Sequence, residues 1–172
     1  MLSFLPILMS AALVAPAGPL SKSALLTSPT RHVRSADKYI QQLLRTGVAH
    51  SPTFVALLAR LEQTDVIVHV EPVRNLPMRM AGRLIVLPMG ATQRYLRIQV
   101  SMDPTPDDII ALIGHELRHA IEVAEAPEVH DEAGLARLYE RIGDARRDSL
   151  EHLYDTRAAR AAGDRVRQEL HA

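Results

Sequence analysis

His115, Glu116 and His119 are the residues whose types and spacing could do chemistry in this chain. On a helix, residues four apart project the same way, so the two imidazoles meet at one point. Glu116 stands about 100° round the helix from His115, close enough to take a proton from a water held at that point. Two neutral nitrogen donors and one carboxylate base are what a hydrolytic Zn²⁺ site needs. The competing reading is structural: a five-residue pattern of this kind also arises on a solvated helix face, or as a hydrogen-bonded polar cluster in a core. The surrounding residues discriminate between them.

Thr105-Pro106-Asp107-Asp108 has the form of a helix start, with Thr105 as N-cap, Pro106 at the first position and two acids in the first turn. Ile109, Ile110, Leu112, Ile113, Leu117, Ala120, Ile121 and Val123 then follow, apolar nearly all round, which predicts a buried helix ending before Pro127. Two histidines and a glutamate inside such a helix must be satisfied, because burying unpaired polar groups costs several kcal/mol. A metal ion satisfies them together. Ahead of this helix, Arg94–Ser101 alternates as a strand, with Leu96, Ile98 and Val100 on one face and Tyr95, Arg97 and Gln99 on the other.

The run Gly114–Ala120, GHELRHA, preceded by that strand, resembles the active-site helix of the zincin metallopeptidases. The likeness covers about 30 residues, from the strand through the helix. It implies a zinc-dependent peptidase in which His115 and His119 are ligands, Glu116 is the general base, and an edge strand before the helix aligns a peptide substrate by strand addition. The metzincin extension is absent, since Glu122 stands where its glycine would be and Glu125 where its third histidine would be. Gluzincins take their third ligand from a downstream helix in an E-x-x-x-D pattern. The matching positions here are Asp155 and Ala159, so the ligand is one methylene shorter and the supporting acid is missing. Asp155 ranks first as third ligand. Glu122, Glu151, His130 and His152 are the alternatives. Glu122 shares the ligand face but lies about 7–8 Å along the axis from the midpoint of the two histidines, which suits it better as a hydrogen-bonding partner of His119. Tyr139, Tyr154, His130 and His152 are candidates for an additional proton donor.

The elements that must position these residues follow from the rest of the pattern. Ala36–Thr46 reads as a helix closed by Gly47, and Ser51-Pro52 opens a second. Asp65–Glu71 and Arg83–Leu87 read as strands, the latter joined to Arg94–Ser101 as a hairpin through residues 88–92. His69 falls on the face opposite Val66, Val68 and Val70, a surface or structural position. Asp131–Ile142 and Asp155–Leu170 read as further helices, with Gly163 a point where another backbone could approach. The expected fold is α+β: a small antiparallel sheet with an edge strand before a buried zinc helix, packed by further helices.

With 172 residues and 47% hydrophobic content, one domain with a sizeable core is expected, and at 3% aromatic that core must be aliphatic. Formal net charge is zero but unevenly spread: 11 basic and 5 acidic residues in 1–104, against 9 and 15 in 105–172. No basic run is interleaved with aromatics, which argues against nucleic acid as a partner. There is no cysteine, hence no disulfide. Residues 2–15 are apolar and uncharged, and Ala15-Pro16-Ala17 is an A-x-A-like cleavage site. The expected organisation is a signal peptide at 1–17, a polar linker at 18–34 and a zincin-like domain at 35–172, exported and without a stable membrane span once the signal is removed. The expected function is hydrolysis of peptide bonds in a peptide or protein substrate by a Zn²⁺-activated water with Glu116 as base. The alternative is a metal-binding or protein-binding relative that does not cleave.

Overall fold

A computed structural model describes residues 30–76, 80–88, 92–143 and 155–172. The predicted signal peptide, most of the linker, the 89–91 part of the predicted turn, Glu151, His152 and Tyr154 lie outside these residues. Among them run β1 (Val33–Arg34), α1 (Lys38–His50), α2 (Pro52–Leu61), β2 (Val66–Val73), β3 (Gly82–Val86), β4 (Arg94–Ser101), α3 (Pro106–Ala124), α4 (Glu132–Ile142) and α5 (Arg157–Leu170). The expected α+β class is observed. Among the described residues, no helix is long and apolar enough to cross a membrane.

The helix starts are set by local chemistry. Asp37, Ser51, Thr105, Asp131 and Thr156 each accept a backbone N–H of the first turn they cap. Gly47 does not end α1 as expected. It lies inside the helix, where a Cβ would come within 2.9 Å of the Phe54 ring, so its role is close packing of α1 on α2. The fold also begins before residue 35. Val33 is buried and pairs with Val68, so the end of the predicted linker is a strand.

The sheet has the order β1-β2-β4-β3 and is mixed rather than antiparallel. β2 runs parallel to both β1 and β4, and only β3 is antiparallel, against β4. Alternation of apolar and polar residues fixes which face of a strand is buried but says nothing of direction, so the sequence pattern was compatible with either. β4 is therefore an internal strand and not the expected edge strand. It pairs with β2 along its whole length, Val66 with Arg94 through Val73 with Ser101, and with β3 on the other side. The free edge nearest α3 belongs to β3.

α3 crosses under this sheet and packs most extensively on α5, as well as on α2, β3 and β4. Ile109, Ile110, Ile113 and Leu117 are fully buried along it, each worth roughly 1.5–3 kcal/mol in removal from water. Gly114 brings α5 close: a Cβ there would lie 2.9 Å from Val166. Gly163 does the same from the α5 side, where a Cβ would lie 3.2 Å from the His115 Cβ and 3.3 Å from the Ala111 carbonyl. The C-terminal end of α3 is held by Arg94. Its guanidinium, 3% exposed, donates to the carbonyls of Val123, Ala124 and Ala126 and grips the Asp65 carboxylate through two bonds of 2.8 Å. A cation at a helix C-terminus is favourable on electrostatic grounds as well.

Candidate metal centre

His115 and His119 sit on consecutive turns of α3, with Nε2 atoms 3.1 Å apart. Asp155 immediately precedes the N-cap of α5, so it is positioned by that helix without belonging to it. Its Oδ1 lies 3.6 Å from His115 Nε2. One ligand atom from each of His115, His119 and Asp155 lies within 4.8 Å of the others, and these three form the metal-competent group among the described residues. Zinc bonds of about 2.0–2.1 Å in a tetrahedron separate neighbouring ligand atoms by about 3.3 Å, so the cluster is close to the required size. The chemistry of the donors also fits. Asp155 Oδ1 is buried with no hydrogen-bond partner, while Oδ2 accepts from Arg160 Nη1 at 2.9 Å.

Of the other ligand candidates, Glu122 is not part of this group. Its Oε2 lies 2.8 Å from His119 Nδ1, and its Oε1 accepts from the Thr156 hydroxyl at 2.7 Å. A carboxylate accepts, so the proton of that bond is on His119 Nδ1, which leaves Nε2 as the nitrogen that faces His115 Nε2 within hydrogen-bond distance. His130 is exposed, away from the cluster. Tyr139 is buried, edge-on to His119 with ring centroids 5.2 Å apart, and burial pushes its phenol well above the ordinary value, so it stays protonated. Ala159, at the position of the missing supporting acid, is fully buried in contact with the core.

The electrostatics favour a neutral His115 and a poised Glu116. Burial, with help from His119, pushes the His115 imidazole down to about 4, against the opposing pull of Asp155 and Glu122. It is therefore neutral near pH 7, the state a metal requires. Burial pushes the Glu116 carboxyl up to about 7, with His119 opposing and Asp155 adding to the rise. A carboxyl so placed can both take and return a proton near neutrality.

Glu116 meets the sheet at Gly82, the first residue of β3, where a Cβ would lie 2.9 Å from Glu116 Oε1. Hydrogen bonds from the Leu87 amide to Tyr95 and from the Ser101 amide to the Ala81 carbonyl fix the parity of this strand. The backbone groups of Gly82, Leu84 and Val86 consequently point away from β4. The Val86 amide donates to Glu132 Oε1 of α4 at 2.9 Å.

Thr156, Arg160 and Gly82 went unnoticed in the sequence. Thr156 had a readable signal, as a hydroxyl residue just before an alanine-rich helix, but its second bond to Glu122 joins residues far apart in the chain. Arg160 and Gly82 had none, because their partners are set by tertiary packing. No protein-family model, curated protein or solved structure matches the chain, so its likeness to the zincins rests on its own residues.

Proposed function

We propose that this protein is a zinc-dependent peptidase whose metal ligands are His115, His119 and Asp155 and whose general base is Glu116. The observation that carries this reading is the meeting of Asp155 Oδ1, buried and without a hydrogen-bond partner, with two imidazole nitrogens from a helix distant in sequence. A bound Zn²⁺ supplies Lewis acidity, which acidifies a water and stabilises negative charge on a carbonyl oxygen. Glu116 would take the proton of the attacking water and give it to the amine nitrogen as the C–N bond breaks, and a carboxyl raised by burial to about 7 serves as base in the first transfer and acid in the second. Glu122 and Thr156 hold the His119 ring in the orientation and tautomer that present Nε2. Among the described residues the outward backbone groups of Gly82 and Leu84 have no partner, which leaves them to an extended peptide, and Gly82 lies beside the Glu116 carboxylate. The aligning strand in this reading is β3 rather than β4.

The test is metal content combined with hydrolysis. The purified protein is expected to hold about one Zn²⁺ per chain, and His115→Ala or His119→Ala to hold none, because the remaining two ligands bind zinc poorly. Glu116→Gln is expected to keep the metal while any peptide hydrolysis falls by about 10²-fold or more. Zinc retained in full by both histidine variants sinks the metal assignment. A wild type that binds zinc but cleaves no faster than Glu116→Gln makes the protein a binder.

A further inference from the structure

We propose that Arg160 is a positioning residue that restricts Asp155 to a single metal-ligating oxygen. The inference rests on the zinc reading above and goes beyond the ligand set to its coordination number. The two oxygens of Asp155 have different surroundings. Oδ2 accepts a charge-assisted bond from Arg160 Nη1 at 2.9 Å, whereas Oδ1 is buried, lacks any hydrogen bond and faces His115 Nε2 at 3.6 Å. A guanidinium cannot lose its proton and bonds carboxylates strongly, so Oδ2 is committed and Oδ1 is left for the metal.

Local structure holds the arrangement. Thr156 caps α5 beside Asp155, so the aspartate has little freedom to turn about its backbone, and Arg160 projects from the first turns of the same helix. Gly163 lets that helix lie against His115. The consequence is a vacancy in the coordination sphere. Two imidazoles and one carboxylate oxygen make three ligands and leave the fourth tetrahedral position to water or substrate. A carboxylate that chelated through both oxygens would add a fifth donor beside that water or substrate. Arg160 acts through Asp155 and touches neither metal nor substrate.

The experiment uses the purified protein loaded with Co²⁺ and read by visible absorption, since four-coordinate Co²⁺ absorbs several-fold more strongly than five-coordinate. The wild type is expected to give the strong four-coordinate bands. Arg160→Met keeps the apolar stem and removes the guanidinium, and it is expected to lose most of that intensity with one metal still bound. Arg160→Lys, which retains the cation, is expected to restore it. Equal intensity in wild type and Arg160→Met at equal metal content overturns the proposal. X-ray absorption of the Zn²⁺-loaded wild type needs no variant. It is expected to show one carboxylate oxygen at about 2.0–2.2 Å, and a chelating pair overturns the proposal. A wild type that retains neither metal overturns the metal centre itself, a failure recognisable because there is then no spectrum to compare.

Discussion

α3 carries two buried polar clusters, and they are built on opposite terms. At its C-terminal end, the Arg94 guanidinium is spent on Asp65, on the last two helix carbonyls and on that of Ala126 just beyond. In its middle, two imidazole nitrogens are turned toward each other at 3.1 Å, and a buried carboxylate oxygen has no hydrogen bond at all. Leaving a buried polar atom unsatisfied costs about 1–3 kcal/mol, and of these two clusters only the second carries such an atom among the described residues. A polar cluster that completes itself is architecture. One that stays incomplete while its neighbours are held rigid is ready for something the chain does not supply.

That contrast can be broken from the architectural side first. Arg94→Met removes the buried cation and leaves the carbonyls of Val123, Ala124 and Ala126 without their donor, which should cost about 3 kcal/mol or more, while the exposed Asp65 carboxylate is rehydrated and adds little. Denaturant unfolding checks it, and zinc per folded chain should be unchanged. Loss of zinc in step with stability would mean that the two clusters are one unit.

The next effect comes from the incomplete side. Zinc at a hundred times its Kd should raise wild-type stability by about 2.7 kcal/mol by mass action, and the His119→Ala variant should gain nothing. Thermal unfolding with and without added zinc measures it. An equal gain in both would place the binding elsewhere.

The smallest effect is one of pH. The hydrogen bond from Arg94 holds the Asp65 carboxyl below its ordinary 3.8, with burial opposing. Since the folded value is the lower, the stabilisation is fully present above 3.8 and is lost as pH falls through the folded value. The difference in unfolding midpoint between wild type and Asp65→Asn should therefore be constant above about pH 5 and shrink in acid. A gap that does not begin to shrink as pH falls below 3.8 would show that the Asp65 charge contributes nothing.

How much of this was legible in the sequence differs between the two clusters. The helix that bears the ligands could be read almost to the residue, because Thr105-Pro106 and its apolar run are local signals. The convergence of His115 and His119 follows from helical geometry alone. Glu122 as a partner of His119 was readable for the same reason. Asp155 could be ranked only through a family likeness, since nothing local links residues 119 and 155. Arg94 was missed although strand parity pointed to it: it shares a face with Leu96, Ile98 and Val100, and all of them are buried. Sheet direction and the identity of the edge strand were beyond reach, because both depend on how strands distant in sequence pair.

The chain has no cysteine and therefore no disulfide, yet the proposed ligand set joins places 36 residues apart, His119 on α3 and Asp155 at the threshold of α5. An ion gripped by both would be a topological clasp, holding together two parts of the folded chain that no disulfide joins. It would also be a clasp that opens with chelators or acid rather than with reductants.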